Sequence, residues 1–222
     1  MKPKVIAVLG LGVFGSSVCK TLSDFDTEII AVDLDIENVE RIDQYVTSAA
    51  QADITNLEAL RNLGIENADI GVVATGSNLE ATILACLNLQ TLGVPKVIAK
   101  AKNKTFLTIL EKIGVQKVVR PEKEMGEKMA RELMRNNVID TIFLDDMYSV
   151  VEFYTPKRWA GKTLSQLDVR KNFSINIIGI RPDINSAMSV QLDSHRVLNE
   201  NEVIVAIAES EEFEQLDFLN KL

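Results

Sequence analysis

The chain has 222 residues, 46% of them hydrophobic, which is enough for one or two domains with buried cores. Its formal net charge of −8 argues against nucleic acid as a main partner, because nucleic-acid binding depends on lysine and arginine clustered against phosphates. No apolar run approaches the roughly 20 residues of a membrane-spanning helix, and no signal peptide is evident. We therefore expect a soluble, cytosolic protein that binds no nucleic acid.

Short apolar segments alternate with helical patterns through the first 120 residues. Each apolar segment has the length of a buried strand, and a stretch with helical periodicity follows it. Six strands are predicted, at about 4–9, 28–33, 46–50, 69–74, 97–99 and 115–119. The alternation predicts an α/β fold with a Rossmann-like, doubly wound parallel sheet.

Two stretches have the pattern of a capping box, in which a serine or threonine at the N-cap pairs with a glutamate three residues later. They are Thr55–Glu58 and Ser77–Glu80. We expect the third and fourth helices of the chain to begin at these residues.

The pattern changes after Pro121. One amphipathic helix is predicted from Glu122 to Asn136, and the remaining residues are rich in strands, with one short helix near 164–169. We therefore expect a nucleotide-binding domain over residues 1–136 and a smaller α+β domain over residues 137–222, joined at Asn136-Asn137.

A glycine motif follows the first predicted strand directly. Gly10, Gly12 and Gly15 form the pattern G-x-G-x-x-G, and a helix is predicted to begin near Phe14. In this context the first glycine permits a tight turn, the second lets a phosphate approach the backbone, and the third lets helix and strand pack closely. The helix N-terminus, including Val13 and Phe14, then offers free N–H groups to an anion.

Asp33 ends the second predicted strand, about 20 residues after the glycines. At this position a carboxylate binds the hydroxyls of a ribose, and its charge disfavours a ribose 2′-phosphate. The alternative is that Asp33 only caps the helix that follows.

Ligands of doubly wound sheets bind beyond the carboxyl ends of the strands, and this rule selects further polar residues. We expect Asp53 to accept a hydrogen bond from an adenine amino group, with Ile54 beside the ring; alternatively Asp53 is an acid of the turn. Thr75 and Asn78 lie in a loop expected to pass near the glycines, or they only begin a helix.

Two charged residues complete the predicted site. Lys100 ends the fifth strand, where its cation would face phosphates; the alternative is a solvated surface lysine. Glu122 is expected to contact a magnesium ion carried by nucleotide phosphates, because magnesium prefers a few carboxylates together with phosphate oxygens and water. Its alternative role is that of a first-turn acid favoured by the helix dipole.

The sequence contains no evident catalytic set. Its single histidine, His195, lies in the second predicted domain, away from the glycine motif. There is no cysteine cluster, zinc-protease motif or nucleophile elbow. We therefore predict that the nucleotide is read as a signal and that the chain is not an enzyme.

Six motifs taken together are specific: Val8–Gly15, Val32-Asp33, Ala52–Thr55, Leu63-Gly64, Ala99–Ala101 and Arg120–Gly126. They resemble the RCK family, the regulators of potassium conductance, and in particular the KtrA/TrkA-type regulatory subunits of bacterial potassium uptake systems. The resemblance covers the whole chain.

The resemblance implies a cytoplasmic subunit, peripheral at the inner face of the cell membrane. Homodimers would assemble into an octameric ring on a membrane-embedded potassium channel subunit of the KtrB/TrkH type. ATP and ADP would bind the first domain, and the residues named above would contact phosphates, ribose, adenine and Mg²⁺. Relatives often carry arginine where this chain has Val13. The missing cation leaves NAD(H), ADP and AMP open as alternatives to ATP.

The second domain carries a further resemblance, to the cyclic di-AMP-binding pattern of RCK C-terminal domains. It implies that Arg170 contacts a phosphate or Asp168, that Asn176 hydrogen-bonds the ligand, and that Leu164 and Ile177 pack on the adenines. Two copies of the domain would form the cleft. The alternative is an ordinary amphipathic helix with an Asp168–Arg170 surface pair.

Two other functions remain open at this point. The glycine motif also suits an NAD(H)-dependent redox sensor or a small oxidoreductase, although the absent acid–base residues oppose the latter. A nucleotide-sensing transcriptional repressor would need a basic DNA-binding segment, which the sequence lacks.

Overall fold

The computed structural model describes residues 3–76, 78–134 and 137–218. The chain divides into two units, Met1–Met125 and Gly126–Leu222. The predicted joint at Asn136-Asn137 stays a prediction, because Asn136 lies outside the described residues. Within those residues, no helix combines the length and the apolar character needed to cross a membrane.

The first unit contains a six-stranded parallel sheet in the order β3-β2-β1-β4-β5-β6, which confirms the predicted doubly wound fold. The strands are β1 Lys4–Leu9, β2 Thr27–Asp33, β3 Ser48–Gln51, β4 Ile70–Val73, β5 Lys96–Lys100 and β6 Lys117–Val119. The helices of this unit are α1 Val13–Leu22, α2 Ile36–Ile42, α3 Leu57–Asn62, α4 Leu79–Thr91 and α5 Lys104–Lys112. Helix α6, Pro121–Met134, begins in this unit and continues into the second.

The central strand β1 is apolar on both faces because helices cover both sides of the sheet. Val5, Ala7 and Leu9 point into one core cluster, and Ile6 and Val8 point into the other. Their alternation follows the two-residue period of a strand. The continuous apolar run in the sequence therefore reflects burial on both faces.

Asparagines cap two helices where a neighbouring hydroxyl was expected. Asn56 caps α3 by accepting hydrogen bonds from the backbone of Glu58 and Ala59, so the prediction that Thr55 is the N-cap was wrong. Asn78 caps α4, and Ser77, the predicted cap, lies outside the described residues. Asparagine is as good an N-cap as serine or threonine, so the capping-box pattern did not fix the first residue of α3.

The second unit contains a four-stranded antiparallel sheet in the order β7-β8-β10-β9, so the predicted α+β architecture is confirmed. Trp159, Phe153 and Phe213 are buried at the centre of its core. The strands are β7 Val138–Phe143, β8 Tyr148–Tyr154, β9 Ile175–Arg181 and β10 Val203–Glu209. The helices that follow α6 are α7 Leu164–Leu167, α8 Val169–Phe173 and α9 Ser210–Phe218.

The single helix predicted at 164–169 is in fact two short helices. Asp168 adopts a left-handed conformation with φ of 42°, which ends α7 and starts α8. Aspartate tolerates this conformation better than most residues because its short side chain is polar. Helix α9, at the end of the described chain, was not predicted.

Gly15→Ala is expected to lower the free energy of unfolding by about 1–3 kcal/mol, because a Cβ at Gly15 would lie 1.9 Å from the Gly10 carbonyl oxygen. Gly126→Ala is the matched control, since it is also a helical glycine but a Cβ there would meet no atom within 4 Å. It should leave stability unchanged or raise it by up to about 1 kcal/mol. Urea denaturation followed by circular dichroism measures both variants. A Gly15→Ala protein as stable as the wild type would contradict this packing.

Candidate nucleotide site

The three glycines of the motif have different surroundings. Gly10 has a φ of +97°, and a Cβ on it would lie 2.9 Å from the backbone nitrogen of Thr75. Gly15 packs directly on the Gly10 carbonyl group, as described above. At Gly12, by contrast, a Cβ would meet no atom within 4 Å. The first and third glycines therefore serve packing within the protein, whereas the second leaves open space at the start of α1.

Helix α1 begins without a side-chain cap. Gly12 occupies the N-cap position, and the first turn contains no acidic residue. Helices α2 to α5, by contrast, are each capped by an aspartate or asparagine side chain. The first N–H groups of α1 and the positive end of its dipole are therefore available to an anion.

The carboxylate of Asp33 fixes the loop that leaves β1. Its Oδ2 accepts the backbone N–H of Leu11 at 2.5 Å, and its Oδ1 accepts that of Asp35 at 2.9 Å. The alternative that Asp33 caps α2 was wrong, because the N-cap of α2 is Asp35. A carboxylate has about four acceptor positions, so Asp33 keeps capacity for the hydroxyls of a ribose.

Asp53 lies just beyond β3, two residues after Gln51, which pairs with Asp33 in the sheet. It is exposed and accepts hydrogen bonds from the backbone and the hydroxyl of Thr55, and these bonds hold its pKa below the ordinary value. They correspond to the turn role that was the alternative. Ile54 is half-buried against the core of the sheet. Contact of either residue with adenine stays a prediction.

The loop after β4 reaches the glycine motif, as expected. The backbone nitrogen of Thr75 borders Gly10, which places Thr75 at the carboxyl edge of the sheet. Asn78 is exposed, and its side-chain oxygen accepts the N–H of Ala81 as the cap of α4. The amide nitrogen of its side chain and one further acceptor position on the oxygen therefore remain for a ligand.

Lys100 is held between two residues of neighbouring elements. Its alkyl chain lies 3.4 Å from where a Cβ on Gly76 would be, and its Nζ lies 5.8 Å from the centroid of the Phe14 ring. The side chain is only 17% exposed, which argues against a solvated surface lysine. Phe14 is in the first turn of α1, so the ammonium group lies beside the open helix N-terminus.

The ammonium group of Lys100 forms an ion pair with Glu122, the second residue of α6, at a distance of 2.5 Å between Nζ and Oε1. The hydrogen bond from Lys100 holds the pKa of Glu122 below its ordinary value, so the carboxylate is ionised at neutral pH. Among the residues that the structure describes, no group of three or more metal-ligating side chains is found. Magnesium at Glu122 would therefore need ligands from a nucleotide, and this role stays a prediction.

The sequence reasoning missed two features of this edge. Gly76 was not singled out, yet its lack of a side chain leaves room for the stem of Lys100. Leu34 directly follows Asp33 and is 67% exposed. Val13, at the start of α1, is also apolar and exposed, at 94%. The sequence signal that could have identified Leu34 is an apolar residue directly after the acid that ends the strand. Val13 offers apolar surface at the first turn of α1, and Leu34 offers apolar surface directly after β2.

In the second unit, the predicted polar ligand residues are all exposed. Asp168 lies at the junction of α7 and α8, Arg170 in α8, and Asn176 at the start of β9. No ion pair joins Asp168 to Arg170 in this described segment, so the alternative surface pair was wrong. Leu164 and Ile177 are half-buried against the core and present only part of their surface.

A later segment lies beside α7. The backbone N–H of Leu164 donates to the carbonyl of Arg196, and that of Ser165 donates to the carbonyl of Ser194. His195 and Arg196 are thereby placed next to the predicted second site. The sequence reasoning missed this arrangement because a contact between such distant residues leaves no local pattern.

Asp33→Ala is expected to lower the free energy of unfolding by about 1–3 kcal/mol, because the carboxylate accepts two backbone hydrogen bonds, one that ties the glycine loop to β2 and one from the turn that follows β2. Asp26→Ala, a change of the same charge at an exposed residue just before β2, is the control and should stay within about 0.5 kcal/mol of the wild type. Urea denaturation measures both. Equal stability of the two variants would contradict a structural role for Asp33.

Comparisons with known proteins identify relatives of both units. The family model described as the TrkA-N domain matches residues 6–121, and the one described as the TrkA-C domain matches residues 149–218. Ktr system potassium uptake protein C of Bacillus subtilis is 40% identical over 178 residues, which cover 80% of each chain. Ktr system potassium uptake protein A of Vibrio alginolyticus is 34% identical over 194 residues, or 86% of this chain and 88% of the relative.

Solved structures show the same fold at lower identity. The GsuK RCK domain superposes with a TM-score of 0.66 and 16% identity over 99% of this chain. This chain spans 48% of that one. A GsuK channel described as bound to NAD has a TM-score of 0.65 over 98% of this chain and 39% of its own length.

Proposed function

The chain belongs to the TrkA/Ktr family of potassium uptake proteins, and we propose that it is the cytosolic regulatory subunit that binds ATP or ADP in its first unit. The observation that carries the proposal is the open N-terminus of α1, flanked by Asp33 at the end of β2 and Lys100 at the end of β5. This juxtaposition offers hydrogen-bond donors and a cation to phosphates, and an acceptor to a ribose.

Each part of the ligand has a matching group in this proposal. Phosphates would lie over Gly12, which has no side chain and borders open space. They would accept hydrogen bonds from the first N–H groups of α1 and from the ammonium group of Lys100. The ribose would meet Asp33, and the base would lie towards Asp53 with Leu34 beside it. Glu122 would contribute one ligand to Mg²⁺ carried by the phosphates.

NAD(H) is the second candidate ligand. Val13 is 94% exposed at the start of α1 and offers no charge to a terminal phosphate, which weakens the case for ATP over ligands with fewer phosphates. A channel of the same fold is described as bound to NAD. The adenosine diphosphate portion common to ADP and NAD would use the same groups.

The second unit is proposed to bind cyclic di-AMP between two copies of itself. The exposed side chains of Asp168, Arg170 and Asn176 support this role, since they present a cation and hydrogen-bonding groups to a phosphate and a base. The partly exposed Leu164 and Ile177 would contact the adenines.

The ligands would act on a membrane-embedded potassium channel subunit of the KtrB/TrkH type. Homodimers of the chain would form an octameric ring at the cytoplasmic face of the membrane. A ligand that binds one ring conformation more tightly than another shifts the equilibrium by its differential affinity, and that free energy is transmitted to the membrane partner. The proposed role is regulatory and needs no catalytic group.

Gly12→Ala is expected to weaken binding of ADP by about tenfold or more, because the new methyl group would stand where the phosphates approach α1. Its stability should equal that of the wild type, since no protein atom lies within 4 Å of the new Cβ. Isothermal titration with ATP, ADP and NADH measures binding, with Gly126→Ala as the control. A wild-type protein that binds none of the three would contradict the proposed function, and NADH binding alone would favour the second candidate.

Arg170→Ala is expected to abolish or strongly weaken binding of cyclic di-AMP and to leave ADP binding unchanged, because Arg170 lies in α8 of the second unit. Lys171→Ala removes the adjacent exposed cation of the same helix and serves as the matched control. Titration of both variants separates a specific contact from a general loss of charge. Equal losses in the two variants, or binding that survives in Arg170→Ala, would count against the assigned contact.

A further inference from the structure

In the proposed site the ammonium group of Lys100 binds nucleotide phosphate, yet in the structure the same group is paired with Glu122. We infer that Glu122 is a specificity-determining residue that competes with ligand phosphate for Lys100, so that its carboxylate weakens phosphate binding until it is displaced. This inference rests on the proposed nucleotide function, and it assigns Glu122 a role when no metal is present.

The surroundings of the pair decide which partner moves. The side chain of Lys100 is 17% exposed, lies across Gly76 and places its ammonium 5.8 Å from the ring centroid of Phe14. The side chain of Glu122 is 69% exposed, so it has room to turn into solvent. The cation is therefore fixed beside the N-terminus of α1, and the carboxylate is the partner that can be displaced.

Charge repulsion puts the two anions in competition for the ammonium group. In the absence of a ligand, the positive charge of Lys100 is neutralised by Glu122 at 2.5 Å. A phosphate that approaches the same ammonium also approaches an ionised carboxylate, and the two like charges repel each other. A bridging divalent cation would remove this repulsion, since it accepts oxygens from both groups. The competition between the Glu122 carboxylate and phosphate is therefore measured in the absence of divalent metal ions.

Glu122→Gln is expected to strengthen ADP binding by about three- to tenfold in the presence of EDTA, because an amide competes more weakly for the ammonium. Adenosine carries no phosphate, and its affinity should be unchanged. Glu124→Gln is the matched control: it removes the same charge from the same turn of α6, but Glu124 accepts the backbone N–H of Arg120, whereas Lys100 pairs with Glu122. It should change ADP binding less than about twofold.

A second pair of variants tests whether the effect passes through Lys100. Lys100→Met is expected to weaken ADP binding, and adding Glu122→Gln to that variant should then produce no further change. Urea denaturation confirms that each variant is folded.

Three results would overturn the inference. They are unchanged or weaker ADP binding by Glu122→Gln, an equal gain in Glu124→Gln, and a gain that persists without Lys100. Each of them leaves the proposed nucleotide function standing if the wild type binds ADP. If neither the wild type nor Glu122→Gln binds ADP or adenosine, the proposed function fails and the inference fails with it.

Discussion

The close approach of α1 to the loop after β1 determines the geometry of the proposed site. Gly15 packs on the carbonyl of Gly10, and no side chain fits between them. This contact aims the first turn of α1 at the carboxyl edge of the sheet, where β2 ends at Asp33 and β5 ends at Lys100. Because parallel strands bring their carboxyl ends to one edge, residues far apart in sequence meet around one helix terminus.

The way each helix begins distinguishes the capped termini from the proposed ligand-binding terminus of α1. A capping side chain satisfies the first N–H groups of a helix at low cost, and Asp35, Asn56, Asn78 and Asn103 do this for α2 to α5. Helix α1 begins at Gly12 and leaves those groups to the solvent or to a ligand. The carboxylate of Asp33 is nearby, but it binds the N–H of Leu11 before the helix begins. It therefore supports the loop without closing the anion site.

Local patterns predicted those parts of the first unit that depend on neighbouring residues. The glycine spacing predicted the loop after β1 and the strand-ending acid predicted the position of Asp33 at the end of β2, since each depends on residues next to one strand end. The capping box did not predict the first residue of α3, because Asn56 competes with Thr55 for the same role. In the second unit, the break at Asp168 depends on a left-handed conformation that helical periodicity does not reveal.

The sequence patterns did not predict which residues distant in sequence contact Lys100 or Arg196. The pairing of Lys100 with Glu122 joins the end of β5 to the start of α6 and follows from sheet order, which places β5 next to β6. Each residue was predicted to contact the ligand, but their contact with one another was not. The position of Arg196 beside Leu164 likewise depends on how the chain returns after β9.

The same ion pair makes the proposed anion site compatible with a chain whose net charge is −8. The carboxylate of Glu122 is 69% exposed, so water can solvate it when the pair breaks, whereas the side chain of Lys100 is only 17% exposed and keeps its place. An ammonium group held beside a helix N-terminus then gains a charge-assisted interaction with phosphate. The positive charge is positioned by Gly76 and Phe14 and is merely neutralised by Glu122. The fold thus keeps a cation in place while leaving its counter-ion exchangeable.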